Sequence, residues 1–316
     1  MKKQDMVFLV ISLSSMALGV FMPFLAAPME WVPKVTMLSL LFMSFLSIDC
    51  RDVWRNLLHF PGSIVFFMLV KLLFLPVLCW CTFRIVMPEF ALAAAVLGGA
   101  PVAVAAPFYA LMVQADFVIV LAGLVCSSLL LPLTLPAVLV ALQTFVPLSG
   151  GVDGAAMQLP VLSMMLNLGV TMTVPFIAAQ VIRRLAASLT ARVLRFRTII
   201  FIGCLSAGNL AIFSKYSGII RNTPQYVLFA IIGACVACLL LFLFATAVTL
   251  WMPPEKQLAV TVGCVAMNNV LMLIMSVEFF SVTEALLAAM YSGPFFLSVL
   301  LYRLLARLRG VSAPNP

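Results

Sequence analysis

Charge is scarce in this chain, and the scarcity excludes most kinds of soluble protein. Only 9% of the 316 residues are Asp, Glu, Lys or Arg, whereas 65% are hydrophobic. Ordinary globular domains are about half apolar and about a quarter charged. Apolar stretches of about 20 residues, the length that crosses a bilayer, recur from one end of the sequence to the other. We therefore predict an all-α polytopic membrane protein.

The side chains that usually carry catalysis are also rare. His59 is the single histidine, and neither an HExxH nor a GxSxG pattern occurs. Paired aspartates within apolar stretches are missing too. An intramembrane enzyme needs an activated nucleophile or a metal-binding set. The eight cysteines mostly lie inside apolar stretches, where packing is their usual role. We expect no enzymatic activity and no cofactor.

Ten apolar stretches predict ten transmembrane helices, with both termini on the same side of the membrane. The predicted spans are 6–27, 33–48, 62–84, 90–113, 117–145, 157–182, 198–219, 225–251, 257–278 and 281–302. If the termini are cytoplasmic, 13 of the 18 Lys and Arg lie inside, four lie outside, and Lys71 lies within the membrane. This bias follows the positive-inside rule. We expect a bacterial inner-membrane protein whose net charge of +8 reflects topology and not nucleic-acid binding.

The loop "PLSGGVDGAAMQ", residues 147–158, divides the chain into two halves of five predicted spans each. The halves are residues 1–150 and 151–316. Because each half has an odd number of spans, the two halves have opposite orientations in the bilayer. Inverted repeats of this kind are common in secondary transporters. The organisation therefore favours a transporter.

The fourth and ninth spans, which correspond in the two halves, contain helix-breaking residues. These residues are Gly98, Gly99, Pro101 and Pro107 in the fourth span, and Gly263, Asn268 and Asn269 in the ninth. A proline lacks the N–H that would bond the carbonyl four residues earlier. Unpaired backbone at membrane depth is tolerated only against protein or a water-filled cavity. We predict a solute site where these spans are broken; simple kinks are the alternative.

The sequence resembles the bile acid:sodium symporter family. The resemblance runs without gaps from "SIDCRDVWRNLLHFPG" through "LPLTLPAVLVAL", about a hundred residues, and resumes at "CVAMNN", residues 264–269. It implies ten helices in two inverted repeats, with a panel of spans 1, 2, 6 and 7 and a core of spans 3–5 and 8–10. Broken spans 4 and 9 would cross near the solute site. It also implies a carrier of organic anions that is driven by two sodium ions.

The residues at the family's sodium positions differ from the family pattern. The first sodium of the family is held by Ser, Asn, Ser, Thr and Glu side chains. Here these positions hold Ala106, Pro107, Val120, Leu124 and Cys264. At the second sodium, the family's Gln, Glu and Gln are replaced by Lys71, Cys264 and Asn268. Hard cations require oxygen ligands, so we expect transport to be independent of sodium.

Lys71 lies in the middle of the run "FFMLVKLLFLPVLCW". A charge at mid-bilayer costs about 2.5–3.5 kcal/mol, and Lys71 is roughly 14 Å from either end of its span, too far for easy snorkelling. All ten acidic residues fall in loops or at span ends. We hypothesise that Lys71 is a tethered cation in the place of sodium and that the transported anion is its counter-ion.

Proton coupling would follow from the burial of this lysine. Desolvation favours the neutral amine, and an arriving anion favours the ammonium form, so that anion and proton would move together. The alternative is a structural lysine bonded to the Leu72 carbonyl, which Pro76 leaves without a helical donor. We favour a proton, or no coupling ion, over sodium.

The predicted substrate is a small organic anion such as a carboxylate or a sulfonate, and the other expected partner is the lipid bilayer. The predicted solute-contacting residues are Lys71, Pro101, Ala106, Pro107, Cys264, Met267, Asn268 and Asn269. Two alternatives remain: a sodium-coupled bile-acid-like symporter with an altered ion site, and a membrane sensor that binds solute without transport. The sequence does not indicate an oligomeric state.

Overall fold

The computed structural model describes residues 3–25, 31–48, 61–145, 149–150, 155–156 and 160–311. His59 and most of the loop at 147–158 lie outside these ranges. The helices are α1 Lys3–Phe21, α2 Val32–Leu46, α3 Pro61–Leu69, α4 Leu75–Val86, α5 Ala91–Gly98, α6 Ala106–Met112, α7 Phe117–Phe145, α8 Val161–Leu185, α9 Ala187–Arg195, α10 Arg197–Lys215, α11 Ser217–Asn222, α12 Pro224–Val248, α13 Pro254–Val265, α14 Asn269–Phe279, α15 Val282–Met290 and α16 Ser292–Leu308. A π-helical turn, Val70–Phe74, joins α3 to α4.

The described residues are almost entirely helical, as predicted. Short 3₁₀ turns lie at Pro23–Leu25 and Pro88–Phe90, and two-residue strands, β1 Ser149–Gly150 and β2 Ala155–Ala156, pair antiparallel. The low charge and high apolar content of the long helices explain why they form: lipid-facing backbone must be hydrogen-bonded within its own segment.

Five continuous helical segments in the described ranges are long and apolar enough to cross a membrane. They are Gly62–Val86, Phe117–Phe145, Val161–Leu185, Pro224–Val248 and Val282–Leu308. A bent pair, Ala187–Arg195 with Ile199–Lys215, makes a sixth if it counts as one span. The chain is therefore an α-helical polytopic membrane protein, and the number ten stays a prediction.

The chain divides into two compact units. Unit 1 comprises Met1–Asp49 and Thr171–Phe229, and unit 2 comprises Cys50–Val170 and Ala230–Pro316. This division does not follow the two halves of the sequence, because each unit takes helices from both halves.

Unit 1 is held together by α10, which packs against both α1 and α2. The amide of Asn209 on α10 donates to the Ser15 hydroxyl on α1 at 3.4 Å, and both side chains are buried. The Gln180 amide donates to the Phe45 carbonyl in the last turn of α2 at 3.1 Å and to the Ile48 carbonyl just beyond α2 at 3.2 Å. Polar side chains inside these apolar helices thus join one helix to another.

Unit 2 contains the interrupted helices. The predicted fourth span is broken between α5 and α6, and the predicted ninth span is broken between α13 and α14. Helix α7 packs against α3, α6 and α13, and α16 packs against α13. This arrangement places the two breaks deep within one unit.

Candidate functional site at the crossing of two broken helices

The two helix breaks pair with each other. Val102 and Met267 form an antiparallel β-bridge. The Ala103 N–H donates to the Ala266 carbonyl at 2.8 Å, and the Asn268 N–H donates to the Pro101 carbonyl at 2.9 Å. Each break therefore supplies backbone partners that the other has lost from its own helix, which is how non-helical backbone is stabilised away from water.

Local sequence explains where each helix restarts. Pro107 lies in the first turn of α6, where its missing N–H costs no helical bond and its fixed φ suits a helix start. Asn268 precedes α14, and its Oδ1 accepts a hydrogen bond from the Leu271 N–H at 3.2 Å. It is therefore an N-cap. This cap uses the side-chain oxygen of a residue that we predict to contact solute.

Lys71 reaches the end of α13. Its side chain is 0% exposed, and its Nζ donates to the Cys264 carbonyl at 3.1 Å. The carbonyl is in the last turn of α13, where unpaired carbonyls carry the negative end of the helix dipole. The ammonium group is thus held by a carbonyl oxygen at a helix break, which is the kind of ligand that a metal cation would use.

The π-turn explains how Lys71 is presented. Within this turn the Leu75 N–H bonds the Val70 carbonyl five residues earlier, not four. Pro76 follows at once and cannot donate a helical bond. Such single π-turns within α-helices are frequent at functional sites. The alternative acceptor that the sequence suggested, the Leu72 carbonyl, is not the one that Lys71 binds.

Three successive carbonyls at the end of α13 each have a different long-range donor. The Lys71 Nζ donates to the Cys264 carbonyl, and the buried Tyr291 hydroxyl donates to the Val265 carbonyl at 2.8 Å. The Ala103 N–H donates to the Ala266 carbonyl. Sequence reasoning missed Tyr291, which lies at the junction of α15 and α16. A tyrosine within an apolar span predicts a hydrogen bond to another segment, because a buried hydroxyl needs a partner.

Ser127 is a second residue that sequence reasoning missed. Its hydroxyl oxygen accepts the Val102 N–H at 3.0 Å and its side chain is 0% exposed. It follows Leu124, a position aligned with a sodium ligand of the family, by three residues. The Ser127 hydroxyl also donates to the Leu124 carbonyl within α7 at 3.4 Å, and the neighbouring Ser128 hydroxyl donates to the same carbonyl at 2.7 Å. The pair "SS" in an otherwise apolar helix was the available signal.

The Phe67 ring, which we call the Phe67 wedge, packs between two neighbouring helices and positions the helix that carries Lys71. The Phe67 ring, one turn before Lys71, lies against Gly123 on α7 and Gly263 on α13, and a Cβ at either glycine would clash with it. Two glycines on different helices thus form a slot for one ring. The wedge sets the depth at which Lys71 meets α13.

The other predicted residues are mostly buried around the crossing. Ala106 and Cys264 are 0% exposed, and Met267 lies in the bridge. The Cys79 and Cys264 thiols are close enough to the Lys71 ammonium to interact with it electrostatically. Pro107 and Asn269 are half-buried. Solute contact by all of these residues stays a prediction.

The described part of the chain offers no carboxylate partner to Lys71 and no cluster of three or more His, Cys, Asp or Glu side chains for a metal. Several acidic residues have other roles. Asp116 caps α7 by accepting from the Val118 and Ile119 N–H groups, Glu284 completes a capping box with Ser281, and Glu278 bonds Asn167. At Ala106, Val120 and Leu124 the side chains carry no oxygen.

No family model matches the sequence, and a search of curated proteins finds no match either. The resemblance to the bile acid:sodium symporter family therefore depends on the residues quoted above.

Proposed function

We propose that this protein is a secondary transporter of a small organic anion that works by alternating access, with Lys71 as a built-in cation in the place of sodium. The observation that carries the proposal is the hydrogen bond from the Lys71 ammonium to the Cys264 carbonyl at the crossing of two broken helices. Interrupted helices at mid-depth are where secondary transporters place solutes and coupling ions.

Charge accounting supports an anionic substrate. A hydrogen bond from a charged group stabilises by about 1.5–3 kcal/mol, which offsets much of the burial cost but leaves the positive charge without a counter-ion. Helix α14 begins beside the β-bridge, and the N-terminus of a helix favours negative charge. A carboxylate or sulfonate between Lys71 and this helix end would complete the charge balance.

Proton coupling belongs to the same proposal. In the proposed cycle the Lys71 amine is neutral when the site is empty and takes up a proton when an anion binds beside it, because a nearby negative charge favours the ammonium form. A proton would then enter and leave with the anion, and no free sodium would be required. The buried, oxygen-free side chains at Ala106, Val120 and Leu124 support sodium independence.

The division into units supports the wider architecture that we propose: ten spans in two inverted repeats, with a core and a panel. Unit 2 contains Lys71 and both broken helices, as a core should, whereas unit 1 is drawn mainly from predicted spans 1, 2, 6 and 7, which a panel would use. We place both termini on the cytoplasmic side of a bacterial inner membrane, as the distribution of Lys and Arg favours.

The test is uptake of labelled monocarboxylates and alkyl sulfonates into proteoliposomes. Each anion is offered with inward sodium, with choline, or with an inward proton gradient. Uptake should be stimulated by external acid, be indifferent to sodium and be lost in Lys71→Gln. Lys215→Gln, which removes an exposed lysine at the end of α10, is the control and should behave like the native protein.

The alternatives give different results. Sodium-dependent uptake that survives Lys71→Gln would identify a sodium symporter with an altered site and a structural lysine. Saturable anion binding without accumulation under any gradient would identify a sensor.

A further inference from the structure

Two polar side chains of α13 are fully buried with an oxygen left unpaired. Gln257 and Thr261 are both 0% exposed. The Gln257 amide nitrogen donates to the Thr246 carbonyl at 2.9 Å, but its Oε1 has no partner among the described residues, and neither has the Thr261 hydroxyl. An orphaned buried polar atom costs about 1–3 kcal/mol, and bound water is the usual partner at such positions.

The Thr261 hydroxyl belongs to a small group of buried threonine hydroxyls, with those of Thr190 and Thr246, that have no hydrogen-bond partner among the described residues. The hydroxyls of Thr36 and Thr249 bond the carbonyl four residues earlier, at 2.8 and 2.5 Å. This local bond is the common choice for a helical threonine. The Thr261 hydroxyl makes no such bond to the Gln257 carbonyl and so remains available to another partner.

The two side chains lie on the same face of α13 as the side chain of Cys264. Gln257, Thr261 and Cys264 are spaced i, i+4 and i+7, which places them on one stripe of α13. The stripe runs for about 10 Å at 1.5 Å per residue. It starts beside the first turn of α13, on the side that the sequence predicts to be cytoplasmic, and ends at the residue whose carbonyl binds Lys71.

We propose that Gln257 and Thr261 hold a file of water molecules that connects the Lys71 amine to the cytoplasm. About three or four waters at hydrogen-bond spacing would cover this length. A hydronium ion at the cytoplasmic end gives one proton to the file, each water passes one on, and the last proton forms an N–H bond at Lys71 Nζ; the reverse sequence returns it. The inference depends on the proposed function in its proton-coupled form.

The titratable groups described near the Lys71 amine do not compete with it for the proton. The helices packed against the π-turn are α3, α4, α7 and α13. Their titratable residues near Lys71 are the thiols of Cys79 and Cys264. Arg84 is at the far end of α4, and Glu255 and Lys256 are in the first turn of α13, where the file would open.

The first test separates proton movement from anion binding. Thr261→Val keeps the volume but removes the hydroxyl, and Gln257→Leu removes the amide. We expect net proton-linked uptake to fall at least tenfold in each variant. Exchange of internal for external anion at equal pH, which needs no net proton movement, should stay within twofold of the native rate. Thr249→Val, whose hydroxyl has a helix partner, is the control.

The second test does not depend on transport. In a variant with the eight native cysteines replaced by alanine, Thr261→Cys should react with silver ion supplied from the cytoplasmic side of inverted vesicles. Ala259→Cys, equally buried but on the opposite side of α13 from the stripe, should not react.

These results distinguish the two proposals. Absence of transport by the native protein contradicts the proposed function. Normal net uptake by Thr261→Val, or equal loss of uptake and exchange, contradicts the water file, and so does an unreactive thiol at position 261.

Discussion

The ammonium nitrogen of Lys71 lies 3.1 Å from the carbonyl oxygen of Cys264, a residue 193 positions further along the chain. The bond joins the middle of one predicted span to the broken end of another. A charge that would be costly against lipid is thereby placed against the negative end of a helix dipole, inside protein.

Substitution of Lys71 should change function much more than stability. In the proposed cycle the amine is neutral when no anion is bound, so Lys71→Met removes one neutral hydrogen bond, which contributes about 0.5–1.5 kcal/mol, and keeps a long unbranched side chain. The free energy of unfolding of Lys71→Met, measured by SDS titration in mixed micelles, should therefore lie within about 1 kcal/mol of that of the native protein. A loss of several kcal/mol would instead indicate a structural lysine.

Ser127 and Ser128 form a matched pair for testing the crossing. Ser127→Ala leaves the buried Val102 N–H without its acceptor, and an orphaned N–H costs about 1–3 kcal/mol. Ser128→Ala removes only a bond to the Leu124 carbonyl within α7 and should cost under about 0.5 kcal/mol. Unfolding of both variants under the same conditions gives the comparison. Equal costs would contradict the proposed importance of the Val102 contact.

Parts of this arrangement could be read from the sequence. Low charge and long apolar stretches predict the helical membrane fold, and the Gly, Pro and Asn residues of two stretches predict where helices break. Those signals are local. The pairing of Pro101 with Asn268, and the reach of Ser127 and Tyr291 to backbone atoms far away in sequence, depend on packing that no local periodicity encodes. The broken halves are each shorter than a membrane span, so the number of spans is also harder to establish than the fold class.

The Phe67 wedge predicts that added methyl groups will be costly. Gly263→Ala and Gly123→Ala each place a Cβ into the ring, and overpacking of this kind costs about 1–3 kcal/mol. The smaller side chain of Phe67→Leu, combined with Gly263→Ala, should restore part of the loss. Gly203→Ala is the control, because a Cβ there meets no atom within 4 Å. This variant should be neutral or slightly stabilised, since alanine favours helix. A Gly263→Ala protein as stable as Gly203→Ala would show that the slot is not tight.

If Lys71 replaces a sodium ion, the exchange should be reversible by mutation. In the resembling family the second sodium is held by Gln, Glu and Gln at the positions of Lys71, Cys264 and Asn268. The triple variant Lys71→Gln, Cys264→Glu, Asn268→Gln removes the tethered cation and supplies oxygen ligands that a hard cation requires. We expect its anion uptake to become stimulated at least fivefold by sodium and to lose its response to a proton gradient. Lys71→Gln alone should be inactive with either ion, because it lacks both the cation and the carboxylate. Folding of the triple variant is checked by its unfolding midpoint, with and without sodium, since an ion that binds only the folded state raises that midpoint. A folded triple variant whose stability and uptake both ignore sodium would mean that Lys71 does not occupy a cation site.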